Sequence, residues 1–299
     1  MCGLVGLYQK EGEALQRIFD GLIQVQHRGQ DAGGICTLQS SKINTHKELG
    51  LISEIFRNID INILKGNIGI GHVRYPTAGT DNVNEAQPFH TTNPINIALA
   101  HNGTLTNSDE IKTKLKKLNF CQFNTNSDSE VLLNLLSYEL FKTNKNEFSN
   151  KDILDVLKRI FNQCQGGYAV VALISGIGLV AFRDPNGIRP LALGKNHNGS
   201  YLLASESSAI TSLGFEVLKD VKPGEAIIIN LDGSVEEKHL IKDMQHTPCL
   251  FEYVYFSRPD STIDSISVHK SRLRMGDYLG EKIATQYSHL NIDVVIPVP

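Results

Sequence analysis

The chain has 299 residues, 41% hydrophobic and 20% charged, which is enough apolar material for a real core and rules out a disordered polyelectrolyte. A net charge of −3 argues against a general nucleic-acid surface, which needs clustered positive charge. The cysteines (Cys2, Cys36, Cys121, Cys164, Cys249) show no Cys-x-x-Cys and no zinc-type Cys/His spacing; their odd number, with no leader ahead of them, points to a reducing cytoplasm.

Cys2 directly follows Met1 and opens Cys2-Gly3-Leu4-Val5-Gly6. With Met1 removed, one residue carries a thiol and an α-amine whose ordinary pKa of roughly 7.7–8.0 leaves part of it unprotonated near neutrality. Such an amine can act as base for its own sulfur, as in N-terminal nucleophiles. A buried structural cysteine at the start of a strand is the alternative.

Residues 4–8 read as a strand, and 14–25 as an amphipathic helix with Leu15, Ile18, Phe19, Leu22 and Ile23 on one face. Gln26-His27-Arg28-Gly29-Gln30-Asp31 then reads as a helix end, with Gly29 as cap and His27 and Arg28 complementing the dipole. A strand over 68–75 runs into His72-Val73-Arg74-Tyr75-Pro76-Thr77-Ala78-Gly79, where Arg74 suits either a surface ion pair or a two-pronged grip on a substrate carboxylate. A strand over 95–100 reaches His101-Asn102-Gly103. This is either an Asn-Gly hairpin turn or an oxyanion site made of the Asn102 amide and the Gly103 N–H.

The basic run at 112–117, with Ile111, Leu115 and Leu118 at helical spacing, reads as a solvated helix face. Ser127-Asp128-Ser129-Glu130 is a capping box for a helix over 131–140. Asp128 either favours that helix dipole or holds a substrate ammonium. A further helix is expected over 153–161, and strands over 168–174, 179–182, 191–193, 201–204 and 226–230. The apolar stretch from 168 to 182 is split by Ser175-Gly176-Ile177-Gly178 and reads as a hairpin, not a membrane span. Short connections imply antiparallel pairing with helices as outer layers, a sheet-rich α+β domain. After about Asp243 the character changes to a helix over 267–284 and a buried strand over 291–297, too little to close a separate core. The expected division is residues 2–243 as one domain and 244–299 as a connector with the incomplete start of another.

Cys2 as nucleophile, Asn102 with Gly103 as oxyanion site, Arg74 as anion clamp and Asp128 as cation clamp together fit attack on the side-chain amide of a free amino acid. That chemistry is glutamine hydrolysis through a γ-glutamyl thioester, releasing ammonia.

These motifs resemble the class II, N-terminal-nucleophile glutamine amidotransferase family. The strings at 26–31 and 72–79, Arg183-Asp184-Pro185-Asn186-Gly187-Ile188-Arg189-Pro190-Leu191 and Phe251-Glu252-Tyr253-Val254-Tyr255-Phe256-Ser257-Arg258-Pro259-Asp260-Ser261 are similar to its branch that feeds ammonia to phosphoribosylpyrophosphate. The resemblance implies those same roles for Cys2, Asn102, Gly103, Arg74 and Asp128, and a glutamine lid at residues 75–79. It implies a four-layer αββα sandwich followed by the start of an α/β type I phosphoribosyltransferase domain. It also implies Mg²⁺ with phosphoribosylpyrophosphate, bound beyond Pro299 with no metal site within the chain, and 5-phosphoribosylamine as the product that opens de novo purine synthesis. Purine-nucleotide feedback, a homo-oligomer and a cytoplasmic location follow from the same resemblance, with no nucleic-acid or membrane partner. Cys249 occupies an iron–sulfur ligand position of another branch and is read as a plain buried thiol, with no cluster. The chain is expected to be a fragment of a longer protein or a truncated product. The alternatives are a glucosamine-6-phosphate-synthase-type member, and a truncated chain that keeps only glutaminase or binding activity.

Overall fold

The computed structural model describes residues 2–75, 82–242 and 244–296. The chain begins β1 (Gly3–Tyr8), α1 (Leu15–Gln24), β2 (Ala32–Gln39), β3 (Lys42–Leu49), α2 (Ile52–Ile55), β4 (Ile68–Arg74), β5 (Phe89–Thr91) and β6 (Ile97–Leu105). It continues through α3 (Ser108–Lys117), α4 (Asp128–Phe141), α5 (Asn150–Gln163), β7 (Gly166–Ile174), β8 (Gly178–Arg183), β9 (Ala192–Lys195) and β10 (Tyr201–Ala204). Then come α6 (Ser207–Ser212), β11 (Glu216–Asp220), β12 (Glu225–Asn230), β13 (Val235–His239), β14 (Thr262–Ile263), β15 (Ile266–Ser267) and α7 (Val268–Gln286).

The strands form a seven-stranded sheet, β11-β9-β10-β1-β4-β2-β3, and a six-stranded sheet, β13-β12-β8-β7-β6-β5, with antiparallel ladders. Strand alternation sorts the side chains into layers. In β1, Leu4 and Tyr8 face the second sheet, while Val5 and Leu7 face the helices. In β7, Ala169, Val171 and Leu173 face the first sheet, while Tyr168, Val170 and Ala172 face the opposite helix layer. One core lies between the sheets, one under α1, α2 and α6, and one under α3, α4 and α5. The mixed sheet-and-helix fold expected from the sequence is present, and its layers run helix, sheet, sheet, helix.

Four local expectations change. Asn102-Gly103 is not a hairpin turn: β6 continues through it, pairing Asn102 with Ala169 and Gly103 with Tyr168. Gly103 has φ +149°, and a Cβ there would stand 2.0 Å from the Gly167 carbonyl oxygen, so the ladder closes tightly only over a glycine. Gly29 is extended, not a left-handed helix cap; a Cβ would lie 2.4 Å from the Arg74 carbonyl carbon, so its role is close approach to the end of β4. At the head of α4, Ser127 accepts from the Ser129 N–H, but Glu130 turns away from the cap and accepts from the backbone N–H groups of Asn124 and Thr125. The capping box is therefore half formed, because Glu130 instead braces the loop before the helix.

The last change concerns the end of the chain. The helix expected over 267–284 is α7, but residues 291–296 form no strand, and Val294, Val295 and Ile296 are exposed. A strand needs a neighbour for its backbone groups, and none of the described strands pairs with this segment. Pro297, and Pro76 to Gly79 of the expected lid, lie outside the described residues. Beyond the expected boundary at 243 the chain remains fastened to the sandwich. Thr247 and Cys249 donate backbone hydrogen bonds to the carbonyls of Asn186 and Ile188, and Arg183 pairs with Asp264 at 2.7 Å.

Candidate active site

Cys2 stands immediately before β1, and the pairing of Gly3 with Val73 brings it beside Arg74 at the end of β4. The facing sheet supplies β6, whose Asn102 Oδ1 accepts from the Cys2 nitrogen at 3.3 Å. A cavity of about 170 Å³ opens here, lined by Cys2, Arg74, Gly103 and Asp128, with Tyr75, Glu85, Gln87 and His101. That is below the ~300–1,000 Å³ of drug-sized sites and suits a single amino acid. Four of the five site residues expected from sequence line this cavity, and Asn102 touches Cys2 from behind it.

Desolvation pushes the Cys2 thiol above its ordinary value, against the downward pull of the Tyr75 carbonyl contact, Arg28 and Arg74. The sulfur is thus a thiol at rest and needs a base. Two histidines lie close by, but burial drives His72 down to about 3 and also lowers His101. Both are poor proton acceptors at neutral pH. His72 Nε2 donates to the His101 carbonyl at 3.2 Å, and Gln87 brackets the same residue, accepting from its N–H at 2.7 Å and donating to its carbonyl at 3.2 Å. The backbone ahead of Asn102 is therefore held on both sides.

The Asn102 Nδ2 donor is buried without a hydrogen-bond acceptor among the described residues. Buried donors are normally paired, so this one has unused hydrogen-bonding capacity. Arg74 gives Nη2 to Glu85 Oε2 at 2.7 Å, one contact among the five N–H donors of its fork. Asp128, about a quarter exposed, accepts from the Leu105 N–H at 2.9 Å through Oδ2 and faces His101 Nδ1 at 3.8 Å through Oδ1. The cavity thus carries one cationic side chain, Arg74, paired with Glu85, and a second carboxylate, Asp128, on its walls.

Arg28 stands at a helix end as expected, closing a short 3₁₀ turn over Gln26–Arg28, and it is also buried and central. Its Nε donates to the Cys2 carbonyl at 3.0 Å, and its two terminal nitrogens reach Glu206 and Glu252, each at 2.7 Å. The sequence displayed Arg28 inside a motif, yet its partners lie 178 and 224 residues away, beyond any local pattern. Glu206 escaped sequence reading for the same reason. Burial would raise the Glu206 carboxyl, but His27 and Arg28 outweigh it and bring it down to about 2. Unfolded glutamate titrates near 4.5, so this stabilisation is complete above about pH 5 and is lost as pH falls towards 2. Melting curves should show the wild type losing stability steeply below about pH 5, and Glu206→Gln less stable at pH 7 but flatter in acid; parallel curves would contradict the assignment.

A larger, more open groove of about 680 Å³ runs between Lys47, Phe89, Phe120 and Asn134. Among its described lining residues the thiol is Cys121, raised by burial and by Glu130. Among the described residues, no group of three or more His, Cys, Asp or Glu side chains could hold a metal ion. Among them, too, no helix is long and apolar enough to cross a membrane.

Residues 72–212 match a family model described as a glutamine amidotransferase domain. The amidophosphoribosyltransferases of Pasteurella multocida and Escherichia coli are each 48% identical to the whole chain, which covers 60% of their length. That of Saccharomyces cerevisiae is 44% identical, with 61% of its length covered. The chain therefore spans about three fifths of the curated relatives it matches. Among solved structures, the glutamine phosphoribosylpyrophosphate amidotransferase from B. subtilis, complexed with ADP and GMP, is 36% identical with a TM-score of 0.82, over 94% of this chain and 58% of that one. A structure described as the allosteric regulatory enzyme of purine biosynthesis gives a TM-score of 0.83 at the same identity and coverage. On these matches, residues 72–212 resemble a glutamine amidotransferase domain, and the whole chain is similar to amidophosphoribosyltransferases over the part of their length that it covers.

Proposed function

We propose that this chain hydrolyses glutamine to glutamate and ammonia, with Cys2 as nucleophile once Met1 has been removed. The observation that carries this reading is the grouping at Cys2. Its sulfur and nitrogen share one residue, Asn102 accepts from that nitrogen through Oδ1 while its Nδ2 donor has no acceptor among the described residues, and Arg74 and Asp128 stand on the walls of the same small cavity. Arg74 takes the α-carboxylate of glutamine and Asp128 its α-ammonium, which places the side-chain amide at Cys2. The Cys2 amine takes the thiol proton as sulfur attacks the amide carbon. Asn102 Nδ2 and the Gly103 N–H receive the developing oxyanion. The C–N bond breaks as the nitrogen departs with that proton as ammonia. Water then cleaves the γ-glutamyl thioester, releasing glutamate and restoring the thiol.

We further propose that in the longer protein the ammonia replaces the pyrophosphate of 5-phosphoribosyl-1-pyrophosphate, giving 5-phosphoribosylamine for purine synthesis in the cytoplasm. The names of the relatives support that acceptor. Residues 244–299 are read as a connector and the start of a type I phosphoribosyltransferase domain, in a homo-oligomer under purine-nucleotide feedback; the B. subtilis complex with ADP and GMP favours the last point. The Mg²⁺ that accompanies phosphoribosylpyrophosphate is assigned to residues beyond Pro299 on the family resemblance alone. Cys249 is kept as a thiol without a cluster.

The test is alkylation with an electrophilic diazoketone analogue of glutamine, followed by mass mapping, alongside measurement of ammonia and glutamate release. The adduct is expected on Cys2 of chains lacking Met1, with equimolar products. An adduct on another cysteine would overturn the assignment.

A further inference from the structure

Two of the family strings, at 26–31 and 251–261, take no direct part in the chemistry above, yet they meet around one buried guanidinium. We propose that Glu252 is a positioning residue for Cys2, acting through Arg28, so that the segment following residue 243 holds the glutaminase centre in its working geometry. This rests on the glutaminase reading of Cys2.

The geometry is a short lever. Glu252 grips Arg28 with both oxygens, Oε1 to Nη2 at 2.7 Å and Oε2 to Nη1 at 3.0 Å, while Glu206 Oε1 takes Nη1 at 2.7 Å. A guanidinium is planar and rigid, so a two-pronged carboxylate fixes its plane and hence the direction of its remaining donor. That donor, Nε, ends on the Cys2 carbonyl at 3.0 Å. The carbonyl carbon is bonded to the Cα that carries the nitrogen and, through Cβ, the sulfur, so rotating the guanidinium moves the reacting atoms. The Arg28 and Glu206 side chains are fully buried and Glu252 is 2% exposed, so water does not compete for these bonds. Neither Arg28 nor Glu252 lines the cavity, so neither touches substrate there.

Glu252 is itself held from downstream. Ser257 Oγ donates to its Oε2 at 2.8 Å, and Arg272 on α7 donates to the carbonyls of Tyr253 and Ser257 at 2.9 and 2.7 Å. The chain of contacts thus runs from α7 through one turn and one guanidinium to the nucleophile. A second clamp supplies a control. Arg183 grips Asp264 at 2.7 and 2.8 Å, but its other donors end on the carbonyls of Gly187, Arg189 and Val221, not on Cys2.

The experiment uses the 299-residue chain and compares wild type, Glu252→Ala, Glu252→Gln and Asp264→Asn. It measures the melting temperature and the kinetics of Cys2 alkylation by the diazoketone analogue, followed by mass mapping. Glu252→Ala should lower the maximal alkylation rate about tenfold while leaving the half-saturating concentration within about twofold. Glu252→Gln, which keeps one oxygen acceptor, should recover part of the rate. Asp264→Asn should melt earlier yet alkylate within about twofold of wild type. Unchanged alkylation in both Glu252 variants would overturn the proposal, as would equal slowing in Asp264→Asn or a change confined to half-saturation. Should Glu252→Ala fail to fold, the rate of Glu252→Gln decides, and a wild-type rate there overturns it. A wild type that is not alkylated at Cys2 would instead overturn the glutaminase reading, and the positioning role with it.

Discussion

Replacing Cys2 by serine, or leaving a residue in front of it, is expected to lower glutamine hydrolysis at least about 10³-fold, each for a different reason. Serine keeps the size and the amine but presents a hydroxyl that is far less acidic and less nucleophilic than a thiol. Retaining Met1 keeps the thiol but turns the Cys2 nitrogen into an amide, which cannot accept a proton. No nearby imidazole replaces it, since His72 sits at about 3 and burial lowers His101 as well. Because desolvation also raises the thiol, little thiolate forms without a base. Ammonia release by homogeneous preparations, with N-termini checked by intact mass, provides the measurement. Full turnover by a protein that retains Met1 would show that the proton goes elsewhere.

Asn102→Asp should reduce the turnover number about 10²–10³-fold with little change in KM, the loss typical of one oxyanion donor, about 2.7–4 kcal/mol. The substitution is nearly isosteric. Asp can still accept from the Cys2 nitrogen, which Asn102 Oδ1 does at 3.3 Å, so the position of the nucleophile is retained. What disappears is the orphan Nδ2 donor, replaced by a second acceptor facing a developing negative charge. Glutamine should bind nearly as before, because Arg74 and Asp128 are untouched. A large rise in KM with unchanged turnover would place Asn102 in ground-state binding instead.

Particular residues show how far sequence reading reached. Strands with clear alternation or continuous apolar runs, such as residues 4–8, 168–174 and 201–204, emerged close to their observed bounds, because side-chain period and burial are local properties. Strands β2 and β3 were not anticipated: β2 begins Ala-Gly-Gly, and β3 carries Lys, Asn, Thr, His and Glu, so neither shows the pattern that its ladder partners later impose. The same override sets aside the turn that was one of two readings of Asn102-Gly103 and makes it paired strand. Residues 291–296 fail in the opposite direction, with an apolar run that finds no sheet.

From sequence alone came the nucleophile candidate, the four residues named to work with it, a family resemblance, and the mixed sheet-and-helix class. The resemblance rests on ordered motifs, and the others follow from residue chemistry at fixed spacing or from local periodicity, which survive without coordinates. Only the tertiary structure decided that Arg74 and Asp128 share one cavity with Cys2, that the Asn102 donor has no acceptor among the described residues, and that Arg28 joins Cys2 to Glu206 and Glu252. Those facts depend on two sheets stacking and on ion pairs closing across 178 and 224 residues of chain. Contacts of that kind are selected by desolvation and geometry in the folded core, and the local pattern of residues does not encode them.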